Sequence, residues 1–141
     1  MNKGEKKFIF LSFLLAGITG GSIFILDNFF KIDSHWGISS HPFLTTVKSF
    51  HYLVTPLLIF SIGLIFKDHI STKLKRIHLY KRKKTGLILC GALVLLTFSG
   101  QSLLIVTGEW MRKYLGYLHL GLGVISIVLV FIHSKTEKKN I

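Results

Sequence analysis

Four long stretches without Lys, Arg, Asp or Glu constrain the fold of this chain more than any other feature. The stretches are Phe8–Leu26, Phe50–Phe66, Thr85–Gly108 and Tyr114–Ser134. A helix needs about 20 mainly apolar residues to cross a bilayer. Half of the 141 residues are hydrophobic and the mean hydropathy is positive, at +0.54, which together make the chain too apolar for an ordinary soluble domain. The sequence therefore predicts an all-α integral membrane protein, a single membrane domain over residues 1–141.

The bounds of the helices follow from the charges and turn-forming residues between these stretches. They are predicted at residues 8–30, 44–69, 84–108 and 111–134. Gly37 and Pro42 discourage helix in the first outer loop. Short connections between such helices predict an up-down-up-down four-helix bundle. Pro56 frees a backbone carbonyl within the second helix and is expected to bend it.

The basic residues predict the orientation of the helices. Fourteen of the eighteen Lys and Arg residues lie at the N-terminus, between residues 67 and 84, or after residue 134. Because short cytoplasmic loops retain Lys and Arg, both termini are predicted to be cytoplasmic. The net charge of +12 is thus mainly a topology signal, with some attraction to anionic lipid. The basic residues flank the spans and are not interleaved with stacking aromatics, so nucleic-acid binding is not expected.

Four of the seven histidines fall on two of the predicted helices. His51 and His69 bracket the second helix, and His119 and His133 lie on the fourth. Imidazoles within a membrane are costly and indicate a functional site. Along an α-helix, fourteen residues return to within roughly 40° of the starting direction, and eighteen return to the same direction. Each helix is therefore predicted to present an outer and an inner imidazole on one face. The axial separation is about 27 Å between His51 and His69 and about 21 Å between His119 and His133.

Depth relative to the flanking lysines pairs His51 with His119 near the outer surface and His69 with His133 near the inner one. Two neutral imidazoles on opposite faces of a porphyrin give a six-coordinate iron suited to electron transfer. The sequence thus predicts two haem b groups. It contains no Cys-x-x-Cys-His motif, which excludes a covalently attached c-type haem.

The remaining histidines are predicted to be solvated loop residues. They are His35, His41 and His78. A location near a quinone or partner site is the alternative for His35 or His41.

Glycines on the fourth helix are placed to give a haem room. Gly116 and Gly123 lie at i−3 and i+4 from His119, on its own face, where a missing side chain lets a macrocycle approach the backbone. Helix packing is the alternative, and it is favoured for Gly17 and Gly21, which form a small-xxx-small pattern. The first and third helices contain no histidine and are expected to pack as walls.

The segment Trp110–His133 reads W-(x)3-Y-L-G-Y-L-H-(x)3-G-(x)9-H. It resembles the histidine-bearing helix of small bacterial di-haem b-type cytochromes. This superfamily includes cytochrome b561 and the membrane cytochrome subunits of formate dehydrogenases and hydrogenases. The resemblance covers the second and fourth helices, about half of the chain. It carries over to His119, His133, Gly123 and His51, whereas His69 stands further from His51 than is usual on that helix.

The resemblance implies bis-histidine b haems that carry electrons between a quinone pool and a redox partner, in a bacterial inner membrane. The chain is then expected to be an electron-transfer subunit of a respiratory or reductase complex rather than a self-contained enzyme. The alternative is a membrane protein without haem, either an interaction subunit or a carrier that uses histidines as metal ligands. A carrier would be expected to add intramembrane carboxylates, and the four stretches contain none.

Overall fold

The computed structural model describes residues 2–35, 37–75 and 83–135, so His78 lies outside the described residues. The helices are α1 (Lys3–Phe29), α2 (Phe43–Ile65), the short α3 (Thr72–Lys75), α4 (Lys83–Ile105) and α5 (Glu109–Lys135). Two short strands, β1 (Ile32–Ser34) and β2 (Gly37–Ser39), pair antiparallel in the first loop.

Within the described residues, four helical segments are long and apolar enough to cross a membrane. They are Lys3–Phe29, Phe43–Lys75, Lys84–Ile105 and Glu109–Ser134. Large apolar side chains stand outward along them, for example Leu53 at 70% and Phe98 at 68% exposure. In water so much exposed apolar surface would drive association, whereas lipid tails cover it without cost. The all-α class and the integral membrane character predicted from the sequence are confirmed.

Helix α1 begins at Lys3, earlier than the predicted residue 8, because Asn2 and Glu5 form a capping box. The side chain of Asn2 accepts a hydrogen bond from the Glu5 amide at 2.7 Å, and the Glu5 carboxylate accepts one from the Asn2 amide at 2.9 Å. This pair satisfies two backbone donors that would otherwise lack a partner. The charged N-terminal residues thus continue the helix beyond its apolar stretch.

Helix α2 continues through Pro56 and then changes its winding. Residues Phe66–Ser71 form a π-helical segment, after which α3 continues the same span to Lys75. The Thr72 hydroxyl donates to the Lys67 carbonyl five residues back, at 3.2 Å. A π turn closes over five residues instead of four, so each residue advances less around the axis than in an α-helix. The range 44–69 predicted for the second helix lies within one helical span, and its end, from Phe66 onward, is wound as a π-helix.

The first loop holds a β-hairpin that the sequence analysis did not predict. Ile32 pairs with Ser39 and Ser34 with Gly37, which has a positive φ of 108° that suits glycine. His41 then caps α2, because its Nδ1 accepts a hydrogen bond from the Phe43 amide at 3.2 Å. His41 is therefore a half-buried capping residue rather than a freely solvated one.

Contacts divide the chain into two compact units, Met1–Thr72 and Lys73–Ile141. In the first unit α1 packs against α2, and in the second α4 packs against α5. We call them the first hairpin and the second hairpin. Phe13, Val54 and Leu58 are buried in the first hairpin and Ala92 in the second.

Candidate functional site

His51 on α2 lies against Gly20 and Thr19 of α1. A Cβ atom added to Gly20 would come within 3.3 Å of His51 Cε1. The hydroxyl of Thr19 lies 2.8 Å from His51 Nδ1. Two neighbouring residues of α1 therefore fix this imidazole, one by omitting a side chain and the other by a hydrogen bond.

His119 on α5 is held in the same way by Gly100 and Ser99 of α4. A Cβ atom added to Gly100 would lie 3.0 Å from His119 Cε1, which is tighter than nine in ten real Cβ contacts. The Ser99 hydroxyl, in a residue only 6% exposed, lies 2.9 Å from His119 Nδ1. The second hairpin thus repeats the arrangement of the first with serine in place of threonine.

His133, the inner histidine of α5, also faces a glycine of α4. A Cβ atom added to Gly86 would lie 3.5 Å from His133 Cε1, and the Nδ1 atom of His133 is buried. Gly86 and Gly100 are fourteen residues apart, as are His133 and His119. The second hairpin therefore presents two imidazoles at two depths, each with its ring edge against a glycine of the neighbouring helix.

His69 lies within the π-helical segment that follows α2 and is half-buried. The prediction that it shares the direction of His51 assumed 100° of rotation per residue throughout. Because the π turn rotates less per residue, His69 is displaced around the axis from that direction.

Gly116 and Gly123 have surroundings that differ from those of the three glycines facing imidazoles. A Cβ atom at Gly116 would meet no atom within 4 Å, and one at Gly123 would lie 3.8 Å from Leu96 Cδ1, an ordinary contact. Neither position is filled by the neighbouring helix. The role predicted for them, giving a haem room, stays a prediction.

The sequence analysis missed Thr19, Gly20, Ser99, Gly100 and Gly86, and the helices it assigned as walls position the histidines. A signal was present, because each of the three glycines follows a hydroxyl residue, Thr85 preceding Gly86. The signal is weak alone, since a threonine also precedes Gly108 in a loop. Contact with a histidine of the neighbouring helix is what distinguishes the three.

The predicted pairs join residues of the two hairpins. His51 and His69 belong to the first, and His119 and His133 to the second. Each hairpin is described by itself, so the pairing of His51 with His119 and of His69 with His133 stays a prediction.

Within residues 2–35, 37–75 and 83–135, no group of three or more His, Cys, Asp or Glu side chains is placed to hold a metal ion. Among the described histidines, His51 and His119 each contact a glycine and a hydroxyl residue, and His133 contacts a glycine. No known protein family, curated protein or solved structure matches the chain.

Proposed function

We propose that this protein is a small membrane cytochrome b that carries electrons through two haem b groups. The outer haem is bound by His51 and His119, and the inner haem by His69 and His133. The protein serves as the membrane subunit of a respiratory or reductase complex in a bacterial inner membrane. It exchanges electrons with quinone or with a redox partner subunit.

One observation carries the proposal: α5 presents two imidazoles, fourteen residues apart, and each ring edge lies against a glycine of α4. A Cβ atom built at Gly100 would crowd the His119 ring at 3.0 Å, and one built at Gly86 would touch the His133 ring at 3.5 Å, an ordinary contact. Imidazole rings within a membrane helix are energetically costly and commonly mark a functional site. Two such settings at two depths favour two ligand sites over two isolated polar contacts.

The donor set fits haem better than a bare metal ion. A bare ion needs several protein donors around it, commonly three or four. A porphyrin supplies four nitrogens itself, so the protein need contribute only one residue on each face of the ring. Single imidazoles without a surrounding cluster of His, Cys, Asp or Glu in the described ranges match the second requirement.

The residues of the chain would hold and orient the cofactor and keep water away from it. The imidazoles of His119 and His133 are separated by about 21 Å along the helix axis, so that electrons can pass between two levels of the membrane. When bound, haem supplies the one-electron couple, and two histidine ligands leave no coordination position for a substrate. This matches a relay rather than an enzyme that transforms a substrate.

The proposed orientation places both termini in the cytoplasm. It is supported by the excess of Lys and Arg at the chain ends and between the two hairpins. Trp110 and Tyr114 stack with ring centroids 6.4 Å apart at the N-terminal end of α5, away from the basic C-terminal residues. Aromatic residues of this kind favour membrane interfaces.

The spectrum of the purified protein tests the proposal. Full-length protein from haem-sufficient cells is expected to show a reduced α band in the b-type range and a low-spin oxidised spectrum. His119→Ala is expected to remove the outer haem and halve the haem content, while the loop variant His35→Ala leaves it unchanged.

Colourless wild-type protein would overturn the proposal and favour a membrane interaction subunit. Full haem content with an unchanged low-spin spectrum in His119→Ala would show that the ligand assignment is wrong.

A further inference from the structure

The Ser99 hydroxyl stands between two polar groups. Its oxygen lies 3.0 Å from the Leu96 carbonyl, to which it donates, and 2.9 Å from His119 Nδ1. A hydroxyl has one hydrogen to donate and can still accept. With that hydrogen directed to Leu96, the Ser99 oxygen is able to accept a hydrogen bond from a protonated Nδ1 of His119.

Thr19 repeats this arrangement in the first hairpin. Its hydroxyl lies 2.8 Å from the Leu15 carbonyl and 3.2 Å from that of Ala16, and 2.8 Å from His51 Nδ1. The hydroxyl hydrogen is again directed to the backbone, so the Thr19 oxygen is able to accept from a protonated Nδ1 of His51. In both hairpins, therefore, a hydroxyl of one helix lies between a backbone carbonyl of its own helix and an imidazole of the neighbouring helix.

Other buried hydroxyls in the described part of the chain provide a comparison. Ser12 donates to the Phe8 carbonyl at 2.9 Å, and Ser61 donates to the Leu58 carbonyl at 2.8 Å. Such bonds to the preceding turn satisfy a hydroxyl in an apolar helix without any partner on another helix. A hydroxyl in these helices therefore needs no imidazole to satisfy it, yet Thr19 and Ser99 each make this further contact.

We infer that Thr19 and Ser99 are positioning residues that hold His51 and His119 with the proton on Nδ1 and the lone pair on Nε2. The inference rests on the proposed function, since Nε2 is then the nitrogen that binds the outer haem iron. The adjacent glycines act with the hydroxyls, because contact at Cε1 and a hydrogen bond at Nδ1 together fix the rotation of each ring.

This hydrogen bond also affects the electronic properties of the ligand. An imidazole that donates from its second nitrogen is a more basic ligand. A more basic ligand stabilises the oxidised, more positively charged iron over the reduced form. Thr19 and Ser99 are therefore expected to lower the midpoint potential of the outer haem.

The first test measures the tautomer in haem-free, full-length protein with ¹⁵N-labelled histidine, made in haem-deficient cells. The nitrogen chemical shifts of His51 and His119 are expected to show protonated Nδ1 and unprotonated Nε2. Protonation on Nε2 would overturn the inference. Because no haem is needed, this result is independent of the proposed function.

The second test measures the outer-haem potential in a His133→Ala background, which leaves one haem to titrate. Thr19→Val and Ser99→Ala are each expected to raise the midpoint potential by about 59 mV, a tenfold change in relative oxidised and reduced binding. Thr19→Ser and Ser99→Thr should retain the wild-type potential. The buried controls Ser12→Ala and Ser61→Ala should leave it unchanged.

Equal potentials in Ser99→Ala, Thr19→Val and the wild type would overturn the inference, even if all of them bind haem. Absence of haem from every variant and from the wild type would instead overturn the proposed function, with the tautomer measurement still deciding the positioning claim.

Discussion

The outer histidines of the two hairpins have matching surroundings, whereas the inner ends of the hairpins differ. In the second hairpin, Gly86 lies fourteen residues before Gly100 and contacts the inner histidine. In the first hairpin, the residue fourteen before Gly20 is Lys6, and the inner histidine, His69, lies in a π-helical segment. The surroundings of His51 and His119 are thus built from the same kinds of residue, whereas those of His69 and His133 differ.

The loops of the two hairpins also differ, which shows that the surroundings of the outer histidines do not require a particular connection. The first hairpin connects its helices through a β-hairpin loop, and the second connects them through residues 106–108 alone. Despite these unequal connections, both outer imidazoles meet a hydroxyl residue followed by glycine. The setting therefore depends on matching positions across the helix pair and not on the length of the loop.

The largest effect is expected from filling the glycine contact of one outer histidine. Gly100→Leu places a branched side chain where a Cβ atom alone already comes within 3.0 Å of His119 Cε1. The ring must move, so the outer haem is expected to be lost while the inner haem remains. Pyridine haemochrome assay of the purified variant measures this change.

Gly91→Leu is the matched control, because Gly91 lies on the same helix with no atom within 4 Å of an added Cβ. It should keep both haems. Full haem content in Gly100→Leu would show that the glycine contact does not support a ligand.

The next effect concerns the π-helical segment of the first hairpin. Deletion of Ile70 removes one residue from Phe66–Ser71 and is expected to restore α-helical winding there, since π turns commonly differ from α turns by one residue. The inner haem is expected to be lost or to change its spectrum, whereas the outer haem is retained. Difference spectra of the reduced and oxidised protein distinguish loss of the inner haem from a change in its spectrum.

Ile70→Ala provides the control, since it shortens a side chain and keeps the length of the segment. Two unchanged haems after the deletion would mean that the winding around His69 has no bearing on ligand geometry.

Smaller, graded effects are expected from single methyl groups at the three glycines. The separations from an added Cβ to Cε1 are 3.0 Å at Gly100, 3.3 Å at Gly20 and 3.5 Å at Gly86. Gly100→Ala should therefore destabilise its site most and Gly20→Ala less, within the ~1–3 kcal/mol typical of overpacking, whereas Gly86→Ala makes an ordinary contact and should change its site least. Haem retention during thermal unfolding in detergent measures the order, and a reversed order would contradict the steric explanation.

The smallest effect on the fold is expected from Gly123→Ala. The added Cβ would lie at an ordinary 3.8 Å from Leu96, so protein stability should change by no more than about 0.5 kcal/mol. If Gly123 gives the outer haem room, the same variant lowers haem occupancy without lowering helix content. Normal occupancy would show that this glycine serves another purpose.

The sequence was sufficient to predict the four helices and the histidines that they carry, because long apolar stretches leave few other solutions. It did not predict the start of α1, where a capping pair of Asn2 and Glu5 extends the helix among charged residues. It also missed the π winding, since the residue pattern of Phe66–Ser71 is compatible with an α-helix and packing decides between the two.

The settings of the histidines were harder to predict than the histidines themselves. Thr19 and His51 are separated by 32 residues, and Ser99 and His119 by 20. Which residues meet across a helix pair depends on how the helices are aligned, and a single sequence does not specify that alignment. Spacing along one helix, in contrast, can be counted directly, and it indicates Gly116 and Gly123 near His119.

The number of haem b groups per polypeptide tests the central claim most directly. Pyridine haemochrome absorbance divided by protein concentration from quantitative amino-acid analysis gives this ratio for the purified full-length chain. The account predicts two haems in the wild type and one each in His119→Ala and His133→Ala. A wild-type ratio of zero would contradict the account, and a ratio of one that survives His119→Ala would contradict its outer site.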